Sequence, residues 1–422
     1  MSLKEKIKKI IPKSLLQIYH LKLAFLGALI FGFPGKNLPH RVKAGKNLKI
    51  IGVTGTSGKS TTVDFITRIL EEAGNKVASL SSIRFKIGDK EWENKYKMTM
   101  PGRLVIQKFL RQALNSGCQY VVLEVTSEGI RQFRHKFIDF DAAVFTNLTP
   151  EHIESHGGFE NYRNEKLKLF KVTKNIHIVN VDDENAKYFL DIPAERKIIF
   201  SINDVKNINL EKGISFEFEG KKFSLRLSGK FNIYNALAAI SVAKVYGIGL
   251  EVCKKALEEA KKISGRMETV SENPKVFVDY AHTPAQLEEV YKTLAGSNLI
   301  CVLGACGGGR DRWKRPVLGK IAAKYCKEII ITNEDPYDED PSQILSMIKS
   351  GISKSKFQMS NFYEILDRRE AIRKALQLAK PNDIVIITGK GCEPWMCVAN
   401  GRKIPWDDRQ VVREELKKIF TT

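Results

Sequence analysis

The chain of 422 residues lacks a cysteine framework. Its seven cysteines, at 118, 253, 301, 306, 326, 392 and 397, form neither a Cys-x-x-Cys pair nor an even set. That argues against a disulfide scaffold and a zinc site, and for reduced thiols in a cytoplasmic protein. Long hydrophobic runs are also missing. The charge-free stretch 23–33 falls short of the ~20 apolar residues a membrane span needs, and extending it back to Leu15 takes in Gln17, His20 and Lys22. No small-residue cleavage site is evident, which argues against a signal peptide. No nucleic-acid-binding module is recognisable, so nucleic acid is not an expected partner. Acidic residues are in short supply, 48 against 69 basic ones, for a net charge of +21. Such a surplus favours anionic ligands or surfaces, with lysines on solvated helix faces as the bland alternative.

What is present begins with a basic and apolar preface, residues 1–46. Lys4, Lys6, Lys8, Lys9 and Lys13 precede the apolar segment, and Lys36, Arg41, Lys43 and Lys46 follow it. Two readings stay open: an interfacial helix making peripheral contact with the inner face of a membrane, or a helix packed against the body of the protein.

The stretch Lys49-Ile50-Ile51-Gly52-Val53-Thr54-Gly55-Thr56-Ser57-Gly58-Lys59-Ser60-Thr61-Thr62 carries the chemistry. A short apolar run breaks into glycines, a lysine and hydroxyls, and helical spacing resumes at Phe65, Ile66, Ile69 and Leu70. This is the pattern of strand, phosphate-cradling turn and helix. Backbone N–H groups at Gly55, Thr56, Ser57, Gly58 and Thr61 would face a triphosphate, Lys59 would neutralise it, and the Ser60 hydroxyl would ligate magnesium. Val53 occupies the usual first-glycine position, and Gly52 lies one residue earlier.

Strand-like runs at 49–53, 77–80, 120–125, 142–145 and 176–181 alternate with helical segments such as 63–73 and 104–116. The predicted fold class is therefore α/β: a central P-loop ATPase domain with a mostly parallel sheet, residues 47–264, and a C-terminal Rossmann-like α/β domain, residues 265–422. In the latter, runs at 276–278, 299–303, 329–332 and 384–388 alternate with helices near 284–294 and 316–326.

The motifs that follow the phosphate loop carry a resemblance. They are Glu124-Val125-Thr126-Ser127, Asn147-Leu148-Thr149-Pro150-Glu151-His152, Tyr162-x-x-x-Lys166 and Asn232-x-x-Asn235. Further on come Gly265-Arg266-Met267-Glu268, Asp279-Tyr280-Ala281-His282, Gly309-Arg310-Asp311-x-x-Lys314-Arg315-Pro316 and Gly389-Lys390-Gly391. In this order they resemble the Mur ligase family, most closely the type that adds the third residue of the peptidoglycan stem peptide to a UDP-linked muramoyl dipeptide. The resemblance implies ATP and magnesium as cofactors, an anionic peptidoglycan precursor as acceptor, and an amino acid as second substrate. It implies Ser60, Glu124, His152 and a carbamylated Lys166 around the metals, with Lys59 on the phosphates. Asn147 and Asn235 would serve the nucleotide, and Arg266 and Asp279 the γ-phosphate and ribose. Thr99, Thr126, Ser127, Arg310, Glu334, Asp335, Tyr337, Gly389 and Glu393 would contact the substrates.

The chain departs from that pattern in two places. The family's uridine-binding domain, about a hundred residues by usual domain size, would precede the ATPase where only 46 residues stand here. The expectation is that this domain is missing, which opens the alternative of a different or lipid-linked carrier, or a polyglutamate-type polymer. The second departure is Glu334-Asp335-Pro336-Tyr337, where family members that take diaminopimelate have Asp-Asn-Pro-Arg. Losing that arginine removes a bidentate carboxylate clamp. Together with Asp338, Glu339 and Asp340, the acidic loop is expected to favour a basic amino acid such as lysine or ornithine.

Overall fold

The computed structural model describes residues 12–43, 47–96, 98–211, 213–355 and 361–420. Lys4, Lys6, Lys8, Lys9 and Lys46 lie outside the described residues. The chain divides into two compact units, one holding Ile7–Pro150 together with Gly158–Lys261, the other including Glu151–Gly157 and Lys262–Thr422.

In the first unit, Ile50, Ile51 and Val53 leave strand β1 (Lys49–Thr54) no solvent face, so it takes the centre of a sheet. The other strands are β2 (Val77–Leu80), β3 (Arg84–Ile87), β4 (Lys90–Glu93), β5 (Tyr120–Glu124), β6 (Phe140–Phe145), β7 (Ile176–Asn180) and β8 (Arg196–Phe200). Their order is β4-β3-β2-β5-β1-β6-β7-β8. All pairs are parallel except the β2-β3-β4 edge. β1 lies between β5 and β6, so the crevice beyond its carboxyl end receives side chains from both neighbours. Beyond β8, β9 (Val205–Asn209), β10 (Ile214–Phe218) and β11 (Lys221–Leu225) form a separate antiparallel meander that is not among the expected strands. Strand β10 alternates buried and half-buried residues, and Phe216 stacks on Phe223 across the pair at 5.1 Å.

The second unit holds β12 (Glu268–Glu272), β13 (Lys275–Val278), β14 (Leu299–Leu303), β15 (Glu328–Ile331), β16 (Asn361–Glu364) and β17 (Ile384–Ile387). Their order is β12-β13-β17-β14-β15-β16, with only β12 antiparallel. Val276, Ile300, Ile330 and Val385 pack beneath Ile372 and Ala375 of the helix Arg368–Leu378. Both bodies are thus the expected α/β layers.

A buried histidine in the first unit sets an acid limit on stability. His135 is 2% exposed, and its Nδ1 has no partner among the described residues. Burial, helped by Lys136 and Lys168, pushes its imidazole down to about 3. Above the unfolded value of ~6.5 both states are neutral, whereas below it the unfolded chain takes up a proton that the folded chain refuses. This one group should therefore cost ~1.4 kcal/mol per pH unit as pH falls from ~6.5 towards 3. Urea unfolding of His135→Leu should show a stability difference between pH 7 and 5 that is about 2 kcal/mol smaller than in the parent. An unchanged difference would show that His135 is not the group responsible.

Candidate functional site

The turn after β1 has glycine where no side chain fits. Gly55 has φ +150°, and a Cβ there would lie 2.0 Å from Thr146 Oγ1; Gly58 has φ +80°, and a Cβ would lie 2.3 Å from Asn235 Oδ1. The turn is held from the end of β6. Thr56 N–H donates to Asn147 O at 2.8 Å and Ser57 N–H to Asn147 Oδ1 at 2.9 Å. Thr146 Oγ1 and Asn147 Nδ2 both donate to Ser57 O, at 2.7 and 3.2 Å. Immediately after Gly58 the helix Lys59–Glu72 begins, with Ser60 and Thr61 buried in its first turn. Its N-terminus and the loop amides make an anion cradle. Asn235, on the helix Phe231–Val245, accepts from Thr62 Oγ1 at 3.3 Å.

From the opposite side, β5 pairs Glu124 with Val53. Ser60 Oγ donates to Glu124 Oε2 at 2.8 Å, and Ser82 N–H donates to the same oxygen at 2.9 Å. Lys59 Nζ lies 3.9 Å from Glu124 Oε1 and donates to Thr56 O at 2.9 Å. A buried carboxylate joined to a hydroxyl is a hard-oxygen donor pair, which fits magnesium and not a soft metal. Lys166, only 2% exposed, reaches in from the helix Phe159–Val172, where its Nζ donates to Gly55 O at 2.6 Å. It also lies 4.6 Å from the centre of the Tyr162 ring. Tyr162 OH and Thr56 Oγ1 are 3.1 Å apart. Thr126 caps the short helix Ser127–Arg131, accepting from Gly129 N–H, and Ser127 is buried behind it. Thr99 is half-buried.

The remaining named residues lie in the second unit. His152 has the left-handed backbone φ of 56°, and the segment that carries it is clasped by the Arg310 loop. Asp311 accepts Ile153 N–H at 3.1 Å and Glu154 N–H at 3.0 Å. Glu154 accepts Arg312 N–H at 2.7 Å, and Lys314 donates to Glu151 at 2.9 Å with both side chains buried. Burial pushes the Glu151 carboxyl up, against the pull of Lys314. Asp279, after β13, accepts Met267 and Ala281 N–H groups, both at 2.6 Å, and so braces the linker turn. Burial raises its carboxyl, and the Arg266 guanidinium opposes the shift. Arg266 itself stacks 4.3 Å from the centre of the Tyr280 ring. Glu393 accepts from Tyr280 OH at 3.1 Å and from Lys390 at 2.8 Å.

The acidic loop is occupied by its own fold to a degree that composition does not suggest. Both Asp335 oxygens bind Lys390 Nζ at 3.0 Å, and Oδ1 also accepts Cys397 N–H. Asp338 accepts Asn400 N–H, Glu339 binds Arg315 and Arg312, and Asp340 caps the helix Pro341–Ser353. Burial, with Glu334 and Asp335 nearby, keeps the Cys306 thiol protonated, and it donates to Glu334 Oε1 at 2.9 Å. Glu334 Oε2 is buried without a partner among the described residues, close enough that a Cβ on Gly389 would lie 2.3 Å away. Tyr337, with φ 54°, packs over Gly308. An acidic field seeking a cation therefore reduces to the one Glu334 oxygen.

Sequence reasoning passed over Thr146, Ser82, Asp311 and Lys314 as working residues. Thr146 could have been found as a hydroxyl at the carboxyl end of β6, which flanks β1, and Ser82 as one just past the carboxyl end of β2, the next strand beyond β5. The last two stood in a quoted motif whose partners lie far away in the chain.

A P-loop on a parallel sheet, with a carboxylate one strand away and a second α/β body, defines an enzyme that uses a nucleoside triphosphate. Residues 53–243 match the Mur ligase middle domain and residues 265–391 the Mur ligase, glutamate ligase domain. A UDP-N-acetylmuramoyl-L-alanyl-D-glutamate–2,6-diaminopimelate ligase of Clostridium botulinum is 38% identical over 391 residues, 89% of this chain and 79% of that protein. A solved structure of a ligase of the same name has 30% identity and a TM-score of 0.60, covering 89% of this chain and 79% of that one. Folylpolyglutamate synthase of Mycobacterium tuberculosis shares the fold, with a TM-score of 0.69 at 16% identity over 97% of this chain and 98% of its own. The chain belongs to the Mur ligase family and is an ATP-dependent, ADP-forming ligase.

Proposed function

We propose that the protein adds an amino acid to a muramoyl-peptide acceptor during cytoplasmic synthesis of peptidoglycan precursors. The acceptor carboxylate takes the γ-phosphoryl group of ATP and ADP leaves; the amine of the amino acid then attacks the acyl phosphate and phosphate leaves. The observation that carries this reading is the register that sets Glu124 beside Ser60 and Lys59, with Lys166 under the same loop. Lys59 and the loop amides offset phosphate charge during transfer. Ser60 and Glu124 would hold one magnesium, His152 another, and Lys166 as a carbamate would turn a repelling ammonium into an attracting anion. Bound magnesium would supply charge neutralisation at the transferring phosphoryl group. Arg310 is assigned the α-carboxylate of the amino acid and Glu393 its amine. Residues 1–46 would add peripheral contact with the inner face of a membrane.

The amino acid is inferred from position 337. Tyrosine cannot form the two-pronged bond of a guanidinium to a distal carboxylate, and the unpartnered Glu334 oxygen suits an amine. Lysine should therefore support more ADP release than diaminopimelate. The test measures ADP release across muramoyl dipeptide with and without UDP, against a panel of amino acids, with and without added bicarbonate. Expected are acceptor-dependent turnover, a preference for lysine and loss of rate on removing carbon dioxide. A stronger response to diaminopimelate would overturn the assignment at Tyr337, and indifference to bicarbonate the carbamate. Turnover without any acceptor requirement would overturn the function.

A further inference from the structure

The helix Lys13–Ile30 is built inside out. Surface helices normally bury large apolar residues and expose polar ones. Here Ala24, Gly27 and Ala28 face the protein, so closely that a Cβ on Gly27 would lie 3.4 Å from Leu104 Cα. Facing outward are Leu15, Ile18, Leu26, Leu29 and Ile30, each between 45% and 57% exposed, while Phe25, 47% exposed, also meets the Phe137 ring edge-on at 5.6 Å. With Tyr19 and Leu21 this one helix supplies eight of the 18 large exposed apolar side chains among the described residues. The orientation is firmly held. Arg111 donates to Phe31 O at 2.7 Å just beyond the helix, Arg41 to Phe33 O at 2.8 Å, and Lys36 pairs with Asp139 at 2.5 Å.

Charge identifies what such a face meets. Residues 1–46 contain nine lysines and Arg41 against Glu5 alone, nine of the chain's 21 net positive charges. Lys22 sits within the apolar arc, four residues after Ile18 and before Leu26, where its long stem can lie along the apolar surface and its ammonium reach outward. No helix among the described residues is long and apolar enough to cross a membrane, and one side of this helix is already covered by protein. A second copy would bring two strongly positive segments together, which is unfavourable.

We propose that the outward face of the helix Lys13–Ile30 is a docking surface for a bilayer rich in anionic lipid. The helix lies in the interface plane, its apolar side chains among the acyl chains and its lysines at the headgroups. The surface extends the peripheral contact proposed above and is independent of the ligase chemistry.

The full chain is floated with vesicles of phosphatidylcholine alone and with one-third phosphatidylglycerol, at physiological and at raised salt, alongside an Ile18→Glu/Leu26→Glu/Leu29→Glu variant, which leaves the Phe25 contact with Phe137 in place. Binding to the anionic vesicles should exceed binding to neutral ones by about tenfold and weaken with salt. The variant should lose binding by about tenfold while its ADP formation in solution is unchanged. Absence of binding to either vesicle, equal binding to both, or undiminished binding by the variant would overturn the proposal. A parent dimer in light scattering that the variant dissociates would also overturn it, by giving the face to a second copy. Failure of the parent to form ADP would count against the ligase reading and leave the vesicle result standing.

Discussion

Replacing Lys59 with methionine is expected to lower ADP formation by about a thousandfold or more. Methionine keeps most of the apolar stem of lysine and removes the terminal ammonium, with its charge and its hydrogen bond to Thr56 O. The ammonium is 3.9 Å from Glu124 and bonded to Thr56 O within the loop, so it is preorganised where phosphate charge would be held. The Lys59 ammonium bonds to the backbone of its own loop and methionine keeps the apolar stem, so the melting temperature should move little. Arginine should fail to rescue, because a planar guanidinium fork does not reproduce the compact ammonium that lies 2.9 Å from Thr56 O. The check is a rate and a melting curve on each variant. A Lys59→Met protein within tenfold of the parent rate would show that the loop does not work on phosphate.

The phosphate loop was legible because its demands are local. Gly55, Gly58, Lys59 and Ser60 must stand at fixed spacing between a strand and a helix, and the observed contacts at Gly55 and Gly58 show why. Glu124 and Asn147 were legible for a related reason, since both end strands that flank β1. What stayed hidden depends on partners remote in sequence. The acidic loop looks like a cation site until Lys390, Arg315, Cys397 and Asn400 are brought to it. In the β9–β11 meander only β10 carries a clear alternation, Ile214, Phe216 and Phe218 against Ser215 and Glu217, and it was passed over; β9 and β11 are mostly exposed and carry little periodicity. The preface divided two readings that the helix partly reconciles, being packed on its small residues and apolar on its outer face. Helical spacing cannot distinguish a large residue facing inward from one facing out.

The second large effect is expected at Lys314. Its ammonium and the Glu151 carboxylate are buried together at 2.9 Å, with 3% and 5% of their side chains exposed, and Glu151 Oε2 has no further partner among the described residues. Lys314→Met leaves a buried carboxylate without a cation, which should cost roughly 3–5 kcal/mol. For a body of this size that is a fall in melting temperature of about 10 °C. The penalty should depend on pH in a defined direction. Burial already raises Glu151 and Lys314 opposes it, so without the lysine the folded-state value lies well above the unfolded one. Such a group destabilises the fold at neutral pH and ceases to do so as pH falls and the carboxyl becomes protonated. The variant should therefore recover towards the parent between pH 7 and 5, and Glu151→Gln/Lys314→Met should regain most of the loss at neutral pH. A variant equally destabilised at both pH values would place the cost in lost packing instead of lost charge. Glu151 precedes His152, and Asp311 in the same loop holds the next two backbone amides. The ion pair thus fixes the turn that sets the His152 ring, which explains why a lysine three residues beyond Asp311 belongs to the same motif as the arginine before it.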